Sequence, residues 1–235
     1  MFYSLPKKIE LSSSHAKWRI ESNQSVLVVV GLTQLRAAAD FAASTLSTHV
    51  RMLLNKAKAL DIPIIDLNPE QLMQSMVLLG EHVSQQKQII IAGWISPMAK
   101  QVIQHISTIS EQLCIINDAV FLDSQTQHVQ WINRCAEQGL HHTNAASLNR
   151  LWALTAPREF ILSDKGILFA IAEQLDMDVM EINPHQDLRL YGLDSVGMVS
   201  LIGLWRANGA NISYEDVIGA CTLEKLMMML KYPNT

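Results

Sequence analysis

Short apolar runs alternate with longer amphipathic stretches along the first two thirds of the chain. Runs rich in β-branched residues predict strands at Val26–Val30, Ile62–Ile65, Ile89–Ile91 and Leu113–Ile116, with a weak fifth strand at Leu140–Thr143. The stretches between the strands have helix-forming composition and include Leu46–Leu60, Pro69–His82, Pro97–Ser107 and Ser124–Gln138. Buried strands that alternate with helices predict a doubly wound α/β domain with a parallel sheet of about five strands, whose ligands bind beyond the carboxyl ends of the strands.

The strand pattern ends near residue 155. Ala156-Pro157 and the polar residues after it predict a linker over residues 156–162. Helical patterns follow at Lys165–Leu175, Ser195–Ala207, Tyr214–Gly219 and Leu223–Lys231, the last of them before Pro233. The sequence therefore predicts an α/β domain over residues 1–155 and an all-α four-helix domain over residues 163–235.

Charge is distributed unevenly between these two parts. The chain of 235 residues has 49% hydrophobic residues and a net charge of −4, which excludes a disordered chain and a basic nucleic-acid-binding surface. From Ser163 onward there are five Lys and Arg residues against ten Asp and Glu residues, and before it thirteen against twelve. The acidity therefore belongs to the last third, where it suits either a basic partner or an ordinary solvated surface.

Several classes of protein are excluded by what the sequence lacks. No apolar run approaches the ~18 residues that a membrane span needs. The first ten residues contain two lysines but no apolar stretch after them, so we expect no secretory signal and a cytoplasmic location. Three widely spaced cysteines, and a His141-His142 pair without a third ligand at a suitable spacing, predict no disulfide framework and no metal site.

The segment DLRLYGLDSVGMVSLIGLWR places Asp194 and Ser195 where a loop ends and an apolar helix begins. A serine hydroxyl at a helix N-terminus lies beside unpaired backbone N–H groups, which favour an attached phosphate. The same dipeptide is also a common helix cap. From the dipeptide alone, both interpretations remain open.

Residues Ser163 to Lys231 resemble the peptidyl and aryl carrier domains of nonribosomal peptide synthetases. The letters GLDSV, from Gly192 to Val196, match the phosphopantetheine attachment motif of these domains. The resemblance implies that Ser195, with Asp194 before it, accepts 4′-phosphopantetheine from coenzyme A through a separate phosphopantetheinyl transferase with Mg²⁺. The thiol of the attached arm would then carry an acyl group as a thioester.

The carrier interpretation gives the acidic residues and several apolar residues a function. Acidic residues before or at the modified helix would steer basic partners toward Ser195; they are Asp176, Asp178, Glu181, Asp187 and Asp194. We predict a docking patch for partner enzymes that comprises Val196, Met198, Val199, Tyr214 and Ile218. Helical spacing also suits core packing for each of these five. Gly197 and Gly203 inside the same helix indicate close packing or the approach of a partner.

Most of residues 1–155 resemble the isochorismatase domain that precedes an aryl carrier in catechol siderophore proteins of the enterobactin type. The resemblance rests on Trp18, the first strand, Asn68-Pro69, Ile89–Gly93 and Asn117-Asp118-Ala119, and on the order of the two domains. It implies a homodimer formed through the first domain. It also implies that active relatives have an aspartate at the end of the first strand, where it acts as a general acid.

In this chain the position of that aspartate falls on Leu32, which has no proton to give. The strand that carries the family's lysine is missing from the pattern, and the third functional position falls near Ala99 or Lys100, where no nucleophile stands. Asp66, Asp118 and Lys100 are the substitutes near the binding edge, but a cap or turn role explains the two aspartates better, and a position on the helix surface explains Lys100 better. We therefore expect no catalytic residues in this domain.

These observations lead to three hypotheses. The first is an aryl carrier of a siderophore-type nonribosomal peptide pathway, with an inactive isochorismatase-like domain as scaffold. Its partners would be the transferase, an aryl-adenylating ligase and a condensation domain. The second is an active isochorismatase with a rebuilt site, and the third is a non-enzymatic assembly protein. The sequence does not specify the acyl group.

Overall fold

The computed structural model describes residues 2–5 and 18–231, so the N-terminal lysines and Pro233 lie outside the described residues. The chain divides into two compact units, which we call the α/β unit (residues 1–155) and the helical unit (residues 156–235). Within the described residues, no helix is long and apolar enough to cross a membrane.

The α/β unit contains one sheet of five parallel strands, as the pattern predicted. The strands are β1 (Ser25–Val30), β2 (Ile64–Leu67), β3 (Gln88–Trp94), β4 (Leu113–Phe121) and β5 (His141–Thr143). Their order across the sheet is β2-β1-β3-β4-β5. In the centre, Val28 of β1 pairs with Ile91 of β3. The order reverses between β1 and β3, and at such a reversal a doubly wound fold forms its crevice for ligands.

Helices cover both faces of the sheet. They are α1 (Leu32–Ala37), α2 (Thr45–Ala59), α3 (Leu72–Ser84), α4 (Pro97–Ile109), α5 (Gln125–Glu137) and α6 (Ala145–Leu154). Alternate strand residues enter two hydrophobic cores, so that Leu27 and Val29 face α2 and α6 while Val26 and Val28 face α3, α4 and α5. The pattern predicted four of the six helices. Neither α1 nor α6 was predicted.

The helical unit contains the four expected helices and one more. These are α7 (Arg158–Ile161), α8 (Asp164–Leu175), α9 (Ser195–Ala207), α10 (Tyr214–Gly219) and α11 (Leu223–Lys231). The bounds of α9, α10 and α11 are those predicted from the sequence.

The extra helix α7 lies in the segment predicted as a linker, residues 156–162. Its Ile161 is buried, and the carbonyl group of Phe160 approaches the Cα of Gly166 in α8. A Cβ at position 166 would lie only 2.9 Å from the carbonyl carbon of Phe160, so only glycine permits this approach. The segment is therefore packed structure, and the linker prediction over 156–162 is corrected accordingly.

Candidate functional site

Ser195 is exposed to solvent and is the first residue of α9. Asp194 is the N-cap of this helix, and its carboxylate accepts a hydrogen bond of 2.8 Å from the backbone N–H of Gly197. The prediction that a loop ends and a helix begins at these two residues is confirmed. A serine in this position presents its hydroxyl to solvent beside the positive end of a helix dipole.

The loop before Ser195 is held by buried leucines on both sides of a left-handed glycine. Leu188 and Leu193 are buried, and the N–H of Leu188 donates to the carbonyl of Cys221 at 2.8 Å. Gly192, between them, has a φ of 100°, a conformation that favours glycine. These contacts fix the direction in which the chain enters α9 and therefore the position of Ser195.

The side chains of four of the five acidic residues that we expected to steer partners also bond within the unit; they are Asp178, Glu181, Asp187 and Asp194. Asp178 and Glu181 form a capping box, in which each side chain accepts a hydrogen bond from a backbone N–H near the other residue. Asp187 makes an ion pair with Arg189, which holds the pKa of the Asp187 carboxyl well below its usual range. These side chains are on the surface, but Arg189 neutralises one of the charges.

The structure divides the predicted docking patch between surface and core. Val196 is 75% exposed, Val199 and Ile218 are also exposed, and Tyr214 is half-buried. Met198, by contrast, is only 3% exposed. It lies on the inward stripe of α9, three and four residues before the buried Leu201 and Ile202, so it belongs to the core rather than to the surface patch.

Two exposed apolar residues near Ser195 in sequence were missed by sequence reasoning. Met180 and Leu190 have most of their side chains in solvent and lie in short 3-10 turns at Val179–Glu181 and Leu188–Tyr191. Both turns are too short for a helical periodicity, so the sequence pattern does not predict which of their side chains point toward solvent. The helical unit therefore exposes apolar side chains at positions 180 and 190 in addition to positions 196 and 199 of α9.

The two glycines of α9 have different explanations. A Cβ on Gly197 would lie 3.0 Å from the side chain of Gln174 in α8, so close packing explains this glycine. A Cβ on Gly203 would meet nothing within 4 Å, and Gly203 is exposed. Packing within the unit therefore explains why position 197 is a glycine, but it does not explain why position 203 is one.

In the α/β unit, apolar side chains occupy the carboxyl end of β1. Leu32 is buried in a core cluster that includes Phe41, with Trp94, Phe121 and the N-terminal Phe2 packed against it. The ring of Phe2 lies 4.6 Å from that of Phe121, between centroids. The position where a general acid would stand therefore holds a side chain that belongs to an apolar core cluster.

The candidate substitutes for that acid serve as caps or lie elsewhere. Both carboxylate oxygens of Asp66 accept hydrogen bonds from the start of α1, from the Leu32 N–H at 3.0 Å and the Thr33 hydroxyl at 2.8 Å. Asp118 accepts from the N–H of Ala145, the first residue of α6, at 2.7 Å. Lys100 is half-buried on α4. The capping role that we considered for the two aspartates fits these contacts.

The histidine pair on β5 is more buried than expected from an exposed edge strand. Nδ1 of His142 lies 2.9 Å from Oδ1 of Asn117, and its Nε2 is buried without a hydrogen-bond partner among the described residues. Burial, helped by the neighbouring His141, lowers the pKa of His142 to about 4. No group of three or more potential metal ligands is present in residues 2–5 and 18–231.

Acid should therefore destabilise the α/β unit. Burial also lowers the pKa values of His128 and His141, so below pH 6.5 the unfolded chain binds protons that the folded unit excludes. The contribution of these neutral histidines to the free energy of unfolding is complete above pH 6.5 and is lost as the pH falls toward 4. For His142 alone, this contribution is on the order of 3 kcal/mol. Urea unfolding of the full chain at a series of pH values measures it.

A matched pair of variants identifies the group responsible. His142→Gln should reduce the pH dependence, because His142 has the most strongly lowered pKa of the three histidines. His105→Gln, at an exposed position on α4, should leave the pH dependence unchanged. A free energy of unfolding that does not vary between pH 7 and pH 5 would contradict the expectation.

Comparison with known proteins matches this chain to a family model and to several solved structures. Residues 165–227 match a family model described as phosphopantetheine attachment site. Among solved structures, the chain is similar to YcaC from Pseudomonas aeruginosa, a structure with hexane-2,5-diol and covalent acrylamide, at 15% identity and a TM-score of 0.44. That similarity covers 63% of this chain and 93% of that chain. A search of curated proteins found no match.

Proposed function

Because residues 165–227 form a phosphopantetheine carrier domain with covalently attached 4′-phosphopantetheine, we propose that Ser195 is the attachment residue and that the chain is an aryl carrier. The observation that carries this proposal is the exposed serine at the first position of α9, inside the matched segment. Ser195 is the serine of the GLDSV motif.

The surroundings of Ser195 fit the proposed group. The hydroxyl is in solvent, and the adjacent Val196 is 75% exposed, so a transferase can reach the oxygen and a long arm can extend from it. The Ser195 oxygen would lose its proton and bond to the phosphorus that carries pantetheine in coenzyme A, while the pyrophosphate link of coenzyme A breaks and adenosine 3′,5′-bisphosphate leaves. Asp194 and Leu193 hold the first turn of α9 in place. When attached, the group supplies a thiol that carries an acyl group as a thioester.

For the α/β unit we propose a non-catalytic scaffold. Leu32 supplies no proton and belongs to an apolar core cluster, and Asp66 and Asp118 cap helices. None of these groups is a free acid positioned to protonate a substrate. Turnover of isochorismate by the full chain would contradict this part of the proposal.

The finer parts of the proposal rest on the resemblance of the two domains to catechol siderophore proteins. We propose that the chain is cytoplasmic and functions in siderophore-type nonribosomal peptide synthesis. Its partners would be a phosphopantetheinyl transferase, an aryl-adenylating ligase and a condensation domain, and the α/β unit would form a homodimer. The exposed Val196, Val199 and Ile218, with half-buried Tyr214, would meet these partners.

Intact-mass spectrometry tests the attachment residue. Incubation of the full chain with coenzyme A, Mg²⁺ and a broad-specificity transferase should add about 340 Da, and Ser195→Ala should abolish the addition completely. Ser200→Ala is the matched control, because Ser200 is another exposed serine on α9 and should leave loading intact. An unmodified wild-type chain, or a Ser195→Ala chain that is still modified, would contradict the assignment of Ser195 as the attachment residue.

A further inference from the structure

Residues 2–5 form neither a helix nor a strand, yet three contacts hold the phenol side chain of Tyr3. Its ring stacks on Phe121, with 4.6 Å between the centroids and 21° between the planes. Its hydroxyl oxygen lies 2.9 Å from Nδ1 of His128 and 3.0 Å from the backbone nitrogen of Leu122. Phe121 ends β4, so these contacts lie at the carboxyl edge of the sheet, where doubly wound folds bind small molecules.

The hydrogen bonds of His128 determine which way the proton of the Tyr3 hydroxyl points. Nε2 of His128 lies 2.8 Å from the carbonyl oxygen of Asn117, which can only accept, so Nε2 carries the imidazole proton. Burial lowers the pKa of His128, which keeps the ring neutral and leaves a lone pair on Nδ1. Tyr3 therefore donates its proton to Nδ1, while its oxygen accepts a hydrogen bond from the N–H of Leu122.

The groups that receive Tyr3 belong to the packed part of the α/β unit. His128 is on α5 and is fully buried, and Leu122, directly after β4, is fully buried as well. Without Tyr3, the imidazole nitrogen and the backbone N–H would both lose this hydrogen-bond partner, and a buried polar group without a partner is unfavourable. The site therefore favours any molecule that places a hydroxyl group at the position of the Tyr3 oxygen.

We propose that the α/β unit contains a binding site for a small neutral phenol, formed by Phe121, Leu122 and His128, and that Tyr3 occupies this site when no ligand is bound. One oxygen must donate to Nδ1 and accept from an N–H, and a hydroxyl group does both. A carboxylate has no proton to donate, and an ammonium group accepts nothing. Stacking on Phe121 favours a hydroxyl group that is carried by an aromatic ring.

The charges around the site also favour a neutral ligand. Burial raises the pKa of the Tyr3 hydroxyl against the effect of the hydrogen bond from Leu122, and the carboxylate of Asp123 raises it further. The charged group that acts on His128 is the carboxylate of Asp118. Because both charged groups are anions, a phenolate or an aromatic acid with its carboxylate in this position would be repelled.

Tyr3 is a competitor for this site that belongs to the chain itself. Because Tyr3 is tethered to the unit, its effective concentration at the site is of the order of mM, so a free phenol binds weakly while Tyr3 is present. Removal of the ring at position 3 should open the site. This inference concerns the α/β unit alone and does not rest on the proposed carrier function.

An NMR titration of the full chain with p-cresol, which is the tyrosine side chain as a free molecule, tests the proposal. Tyr3→Ala should bind p-cresol at least about tenfold more tightly than the wild type, because no internal phenol competes. Tyr3→Phe should fall between the two, since it keeps the stacked ring and loses both hydrogen bonds. The amide signal of Leu122 should shift in Tyr3→Ala and return toward its wild-type position when p-cresol binds.

Two controls separate this site from nonspecific binding. Toluene, which lacks the hydroxyl group, and benzoate, which is an anion, should bind Tyr3→Ala at least about tenfold more weakly than p-cresol. Tyr191→Ala is the matched variant, because the Tyr191 hydroxyl also accepts from a backbone N–H and donates to a side chain, but it lies in the helical unit. Tyr191→Ala should bind p-cresol no more tightly than the wild type.

Equal affinities of Tyr3→Ala for p-cresol and toluene would overturn the proposal, and so would binding that leaves the Leu122 amide signal unchanged. If Tyr3→Ala does not fold, Tyr3→Phe decides the question, and an affinity for p-cresol equal to that of the wild type would overturn the proposal. Loading of Ser195, measured by mass, should be the same in the wild type and in both Tyr3 variants. A failure of loading therefore concerns the carrier function and not the phenol site.

Discussion

A Gly166→Ala variant is expected to lose the fold of the helical unit while the α/β unit stays folded. The added Cβ would overlap the carbonyl group of Phe160, and both groups belong to the backbone, so no side chain can rotate away. Relief requires α7 to move off α8 and exposes Ile161 to solvent. We expect a cost of about 3 kcal/mol or more, comparable to the total stability of a unit of this size.

Hydrogen exchange of the full chain, read by mass spectrometry, measures this effect in each unit separately. Peptides from α8, α9 and α11 should lose protection in Gly166→Ala, and peptides from the sheet should keep it. Gly203→Ala is the control in the same unit, where the added Cβ meets open space and should stabilise α9 by about 1 kcal/mol. Wild-type protection of α8 in the Gly166→Ala chain would contradict the prediction.

A Gly93→Ala variant should have the complementary effect and unfold the α/β unit. Gly93 has a φ of 100°, and an added Cβ would lie 2.7 Å from the backbone nitrogen of Val30, its partner in the central pair of strands. Steric overlap and left-handed strain act together at this position. We expect a loss of about 4 kcal/mol or more in the free energy of unfolding.

The control for Gly93 separates strain from overlap. Gly31 also has a positive φ, of 64°, but a Cβ there would come no closer than 3.5 Å to any neighbour. Gly31→Ala should therefore cost only about 1–2 kcal/mol, the price of left-handed backbone alone. Urea unfolding of both variants gives the comparison, and equal losses would show that overlap with Val30 contributes nothing.

The strands β1 and β3 were predictable because each contains an apolar run that the sheet buries on both faces. The length of β4 was not predictable from the sequence. The polar residues Asn117 and Asp118 interrupt its apolar run, yet the strand continues to Phe121, since Val120 and Phe121 pair with Gly93 and Trp94 after a shift of register. Local sequence does not reveal such a shift, because it depends on the neighbouring strand.

The position of Ser195 was predictable because a helix start has a local signal, in which a capping residue precedes an apolar run. Burial was less predictable. Met198 was predicted either for the docking patch or for the core, and the structure places it on the inward stripe of α9; His142 is buried beside Asn117. Which residues a neighbouring element covers is decided by tertiary packing, and residue type alone does not show it.

The short helix α7 matters for any use of the helical unit in a chimaeric protein. A chimaera joined at residue 163 would omit α7, whose Phe160 and Ile161 lie against Gly166, and would leave that face of α8 uncovered. A junction placed upstream of Ala156 retains them. The natural excision point therefore lies before α7.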